Sequence, residues 1–255
     1  SRLAATRGDG YGLTMRATLL AMLLLCASPG LFPGSAPARA AVCDTPVDLL
    51  DPIPLPRLRP AIAAGELRIL IGGSATAEAA GAATYHSRLA ALLQNHFPTL
   101  ALRVEARGRA GATAAESLVL ILREMPGFRP HLVLWQTGTV EAVRSLELDE
   151  MSDTLGEGIT RIRAAGADVA LLDQQFSRFL RANADIDSYR NAMRVVAAAE
   201  GVPLMRRYDW MRHWMENDGP DMERAPRAER AATLAQLNDC LARAIAAQLR
   251  HSARR

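Results

Sequence analysis

Three short glycine-bearing segments hold the residues whose types and spacing could do chemistry. They are Gly72-Gly73-Ser74-Ala75-Thr76, Arg107-Gly108-Arg109-Ala110-Gly111-Ala112-Thr113 and Thr137-Gly138-Thr139-Val140-Glu141. Each follows a short apolar run, where glycine lets the backbone turn sharply or approach another group closely. A serine at such a turn, faced by glycine amides from neighbouring segments, has the layout of a nucleophile and an oxyanion hole. Glycine-rich strand ends also occur throughout α/β folds without that chemistry. A base could come from Asp209 and His213, whose spacing of four puts acid and imidazole on one helical side. The alternative is that Trp210, His213 and Trp214 pack on the rim of a sheet. Of the other histidines, His86 reads as a surface residue, His96 and His131 as structural, and His251 as part of a loose tail.

The elements that must position these segments alternate. Leu67–Ile71, Leu100–Ala106, His131–Gln136, Asp168–Leu172 and Val202–Met205 read as strands, and Gly72-Gly73 and Thr137-Gly138 close two of them. Helical spacing appears over Thr84–Phe97, Ala114–Met125, Met151–Ala165, Ile186–Glu200 and Ala225–Arg250. Pro126-Gly127 is expected to stop the second of these helices, and Gly166 and Gly201 to cap the third and fourth. Five strands separated by helices predict a doubly wound α/β protein: a three-layer α/β/α sandwich on a five-stranded, mostly parallel sheet, flavodoxin-like in plan. Ligands of such sheets bind beyond the carboxyl ends of the strands, where all three glycine segments fall. Asp173-Gln174-Gln175-Phe176-Ser177 follows the fourth strand and is expected to shape a substrate rim.

Composition removes several alternatives. All thirty basic residues of the 255 are arginine. There is no P-loop lysine, no Schiff-base lysine and no Ser-Lys dyad. Residues 1–40 read as upstream sequence followed by a cleaved secretory leader. Met15-Arg16 precedes the apolar run Ala17–Leu25, and Ala38-Arg39-Ala40 supplies an A-x-A site. Without residues 1–40 the chain loses Arg2, Arg7, Arg16, Arg39 and Asp9, leaving 26 basic and 26 acidic residues of the 30 and 27. A formally neutral chain has no long-range attraction for nucleic acid or anionic lipid. Export to the periplasm or beyond follows from the leader, with no stable membrane insertion after cleavage. The remaining cysteines, Cys43 and Cys240, are expected to pair in that oxidising compartment, the alternative being two buried thiols. In the chain-entropy model a loop of that size is worth about 4–5 kcal/mol. Residues 41–65, with four prolines between Asp51 and Pro60, read as an extended arm. One domain, 66–250, and a tail, 251–255, follow it.

Over residues 66–250 the chain resembles the SGNH (GDSL-type) hydrolases, and within them a bacterial exported subgroup. The resemblance rests on Leu134-Trp135-Gln136-Thr137-Gly138-Thr139, Arg107-Gly108-Arg109-Ala110-Gly111 and Met211-Arg212-His213-Trp214. It implies ester hydrolysis on the three-layer fold, without cofactor or metal. Ser74 would be the nucleophile in the G-D-S block, and the Ser74, Gly108 and Gly138 region the oxyanion hole. The substrate would be a small-molecule or glycan ester. The third block, G-x-N-D in the family, is Gly138-Thr139-Val140-Glu141 here, so the asparagine donor is a valine. The last block, D-x-x-H, aligns with Glu229 and Ala232, so the usual histidine is absent. Loss of one oxyanion donor typically costs about 10²–10³ in rate. Loss of a triad member costs on the order of 10⁴. Two readings follow: a weak serine esterase in which His213 and Asp209 replace the missing pair, or a degenerate module that binds glycan, acyl chain or protein.

Overall fold

The computed structural model describes residues 43–74 and 84–254. The expected leader and upstream residues, and Ala75 and Thr76 of the first glycine segment, lie outside these. All described residues belong to Pro37–Arg255, one of two compact units of the chain.

The elements run α1 (Leu58–Ala63), β1 (Glu66–Gly73), α2 (Tyr85–His96), β2 (Ala101–Gly108), α3 (Ala114–Phe128), β3 (Leu132–Gln136), α4 (Thr139–Arg144), α5 (Leu148–Ala164), β4 (Asp168–Leu172), α6 (Arg178–Asn183), α7 (Ile186–Glu200), β5 (Leu204–Met205), α8 (Arg207–Glu216) and α9 (Arg230–Ala253). The five strands form one parallel sheet in the order β2-β1-β3-β4-β5. This is the α/β/α sandwich expected from the alternation. Side chains alternate across each strand, so one sequence feeds two cores. Ile69, Ile71, Leu132 and Leu134 pack under α2, α8 and α9, against Leu89, Trp210 and Ile245. Leu70, Val133 and Trp135 pack on the other face against Ile121 of α3, Ile159 of α5 and Met193 of α7. Strands buried on both faces read as continuous apolar runs, as β1 and β3 do.

Several boundaries differ from the sequence reading, each for a local reason. The helix over 114–125 is not stopped by Pro126 but runs to Phe128, with Arg129 at φ 48° as its left-handed cap. Pro126 falls in the last turn, and the chain accepts the one missing N–H donor rather than ending there. The Pro-rich arm is not extended throughout. It makes a 3-10 turn at Val47–Leu49 and enters α1 at Leu58, with Pro60 in the first helical turn. Amides of a first turn have no intrahelical acceptor, so proline costs nothing there. α9 extends through the expected tail to Ala253, and the buried Ser252 Oγ donates to the Ile53 carbonyl at 3.2 Å.

Cys43 and Cys240 are joined, as the sequence reading expected, with their Cα atoms 4.9 Å apart. The arm is also tied by polar contacts. Gln248 exchanges two hydrogen bonds of 2.8 Å with the Asp51 backbone. The Trp210 and Trp214 indoles donate to the Leu49 and Asp44 carbonyls at 3.0 and 2.9 Å. Both indoles are therefore core anchors for the arm.

Candidate active site

The site is built at the C-terminal edge of the sheet. β1 lies between β2 and β3, and Gly73 is level with Gly108 of β2 on one side and Gln136 of β3 on the other. Ser74, Arg109 and Thr137 therefore leave the sheet side by side, and the Arg109 N–H donates to the Gly73 carbonyl at 3.3 Å. Gly73 has φ 150°, and a Cβ there would lie 2.3 Å from the Gln136 carbonyl oxygen. Only glycine lets β1 turn into Ser74 this close to β3. Ser74 is half-buried, and its hydroxyl has no hydrogen-bond partner among the described residues.

The third segment is organised by a carboxylate. Glu141 is buried, and its Oε2 accepts from the Gly138 N–H at 3.0 Å while Oε1 accepts from the Ala114 N–H at the start of α3. A carboxylate is well placed against helix N-terminal amides. Glu141 thus locks the turn after β3 to α3, and the Gly138 amide expected in the oxyanion hole is engaged with it. Gly138, at φ 90°, also packs on the Gln174 amide: a Cβ there would meet Nε2 at 2.3 Å. Gln174 is fully buried, and neither its Nε2 nor its Oε1 has a partner among the described residues. Val140 is half-buried one residue into α4 and offers no donor. Glu141→Gln removes the charge and leaves one of the two amides without a full acceptor. It is expected to destabilise the chain by about 1–3 kcal/mol, read as a lower urea midpoint at unchanged slope.

The structure does not bring Asp209 and His213 together. Asp209 Oδ1 accepts from Arg190 Nη2 at 2.6 Å, and Oδ2 lies 3.5 Å from Arg194 Nη2. His213 meets Asn217, one turn further along α8, at 3.4 Å. The spacing of four is helical as expected, but two arginines of α7 draw the carboxylate away from the imidazole. His131 is structural, accepting from the Arg68 N–H at 3.1 Å. His96 packs edge-on against Phe97. His251 lies in the last turn of α9 rather than in a tail. His86 is half-buried rather than a surface residue: its Nε2 is 3.1 Å from Thr84 Oγ1, its Nδ1 has no partner among the described residues, and burial holds its pKa below the usual range. None of the five imidazoles hydrogen-bonds Ser74.

A buried polar cluster lies beside this edge; it includes Asp173, which with Gln174 is fully buried instead of lying on the rim that the sequence reading expected of Asp173–Ser177. The Tyr85 hydroxyl donates to Gln136 Oε1 at 3.1 Å, and burial pushes its pKa up. Asp173 is fully buried. It accepts from the Tyr208 N–H at 3.0 Å and from Arg190 Nε at 3.4 Å, and burial raises its pKa to about 6. Arg190 also stacks 3.7 Å over the Tyr208 ring. Arg207, at the start of α8, is 6% exposed, and burial lowers its pKa. Nothing in one sequence separates it from its neighbour Arg206, which turns outward to the arm carbonyls of Asp48 and Leu49.

A serine following β1 of a five-stranded parallel α/β/α sandwich, with Gly108 ending one flanking strand and Gly138 two residues past the other, fits an SGNH-type hydrolase fold. The family model described as "Non-GDSL lipase-like family" matches residues 42–255, and the chain belongs to that family. Among solved structures, a catalytic mutant of Axe2, an acetylxylan esterase from Geobacillus stearothermophilus, is 18% identical with a TM-score of 0.59, over 72% of this chain and 94% of that one. LAE5, an alpha/beta hydrolase enzyme from the metagenome of Lake Arreo, Spain, is 21% identical with a TM-score of 0.54, over 69% and 96%. CEX, a two-domain esterase active on acetylated mannans, is 13% identical with a TM-score of 0.58, over 78% and 53%. At these identities the likeness is one of fold. No curated protein sequence matches the chain.

Proposed function

We propose that the chain is an exported ester hydrolase of low turnover, acting on acyl or acetyl esters with Ser74 as nucleophile. The observation that carries this reading is the register that sets Ser74 between the Gly108 and Gln136 strand ends, with glycine at position 73. Attack by Ser74 Oγ on the ester carbonyl would place the developing oxyanion against backbone amides at the ends of β1 and β2. The hydroxyl proton would leave to water, because no imidazole is bonded to Ser74, and a base held in place is normally worth about 10²–10⁴ in rate. Axe2 and CEX, with the same fold, are an acetylxylan esterase and an esterase active on acetylated mannans, which makes acetylated glycans the first substrates to try. The disulfide fits an oxidising compartment, and among the described residues no helix is long and apolar enough to cross a membrane.

The missing imidazole also favours the second reading, a family member that binds such esters without turning them over. Hydrolysis of p-nitrophenyl acetate separates the two. Under the proposal the purified chain is slow but measurable, Ser74→Ala falls to background, and His213→Ala leaves the rate unchanged. Turnover that survives Ser74→Ala refutes the assignment. No turnover above background in the parent chain selects the binding module, and a loss in His213→Ala restores that histidine as base.

A further inference from the structure

A cavity of about 300 Å³ opens between α8, α9 and the loops that follow β4 and α8. That is the lower end of the range for ligand pockets, about 300–1,000 Å³. Two helical stripes line it. Arg207, Met211 and Met215 recur every four residues on α8, and Leu234, Leu237 and Leu241 face them from α9. The two facing stripes are apolar beyond the Arg207 cation, and Gln175, Ser177, Asn238, Asp221 and Glu223 supply the polar part of the lining.

That cation is under-compensated. Arg207 is more than nine-tenths buried, and its Nε has no hydrogen-bond partner among the described residues. Nη2 donates to the neutral Gln175 Oε1 at a long 3.3 Å. Among the described residues Arg207 makes no ion pair. Asp173 acts on it only at a distance, its own oxygens being taken by the Tyr208 amide and Arg190. The carboxylates at the cavity rim, Asp221 and Glu223, are committed to Arg178, and Glu223 also takes the Ser177 hydroxyl. Burying a charge without a partner is costly, and the cost is relieved when an anion enters.

We propose that this cavity is a binding site for an aliphatic carboxylic acid, with its carboxylate on the Arg207 guanidinium and its alkyl chain between the Met211–Met215 and Leu234–Leu241 stripes. The planar guanidinium suits a carboxylate, and the unbranched, polarisable methionines adapt to a flexible alkyl chain. The site requires no turnover and does not rest on the Ser74 reading.

Calorimetric titration of the full chain with sodium octanoate tests it. One octanoate is expected to bind per chain. Acetate, which has the head without the tail, and octanol, which has the tail without the charge, should each bind at least tenfold more weakly. Leu234→Trp changes a half-exposed residue at the cavity mouth, leaves the core intact and should weaken octanoate at least tenfold. Arg207→Gln should do the same if it folds; if it does not, Leu234→Trp and the octanol comparison decide. Absence of octanoate binding at millimolar concentration overturns the proposal. Equal affinity for octanol, or unaltered octanoate binding in Leu234→Trp, overturns it as well.

Discussion

Asparagine at position 140 combined with histidine at position 232 is expected to raise kcat/KM for p-nitrophenyl acetate at least about a hundredfold. An added oxyanion donor acts in the transition state and is typically worth about 10²–10³, and a positioned base on the order of 10⁴. Groups that act as a unit do not simply multiply, so the lower bound is the safer expectation. The structure leaves room for both changes. Val140 is half-buried in the first turn of α4, beyond Gly138. Ala232 is exposed in the first turn of α9, in a groove shared with Arg88 of α2, the helix that follows Ser74. Glu229, three residues earlier, still offers a carboxylate where the family has its orienting acid. Val140→Asn alone should raise the rate less than the double variant does, because the attack still lacks a positioned base. Steady-state kinetics on the two single variants and the double variant check this. A double variant no faster than the parent would mean that the last-block alignment, and with it the inferred cause of slow turnover, is wrong.

Replacing both cysteines by alanine is expected to lower the melting temperature by about 10–20 °C. The bridge closes a loop with a sequence separation of 197 residues. In the chain-entropy model such a loop restricts the unfolded chain by about 5 kcal/mol. For a chain of this size each kcal/mol shifts the midpoint by about 2–4 °C. Cys240 is fully buried in the middle of α9, so its loss also leaves a small void beside Leu241. The arm keeps its bonds to Gln248, Trp210 and Trp214, so the variant should still fold. Calorimetry under oxidising conditions provides the measurement, and an unchanged midpoint would show that those polar ties alone hold the arm.

Periodicity carried most of the fold. β1 and β3 announce themselves because both of their faces are buried, and α5, α7 and α9 because one apolar stripe repeats over several turns. α4 and α6, with six residues each, are shorter than two helical turns and leave no periodic trace. Pro60 and Pro126 misled for different reasons: Pro60 falls in a first turn, where its N–H is not needed, whereas Pro126 falls in the last turn of α3, where the helix continues to Phe128 at the cost of one hydrogen bond. At the site, the glycines and Ser74 were legible because backbone geometry demands particular residue types. Glu141 was legible as a replacement for the family aspartate, but its link to the start of α3 depends on a contact 27 residues away in sequence. Asp209 failed as a partner for His213 because Arg190 and Arg194 compete for it from another helix. Arg207 was invisible because an arginine at a helix start ordinarily faces water, and only packed α9 and the loop after β4 reveal that it does not.

The most direct measurement is covalent trapping of the proposed nucleophile. The chain is incubated with a fluorophosphonate, the adduct is located by peptide mass mapping, and its rate of formation is compared with that in the variant carrying Val140→Asn and Ala232→His. Slow, stoichiometric labelling confined to Ser74, faster in the double variant, is the predicted result. Labelling at another residue, or none at Ser74 in either protein, would contradict the assignment of Ser74 as the nucleophile of this site.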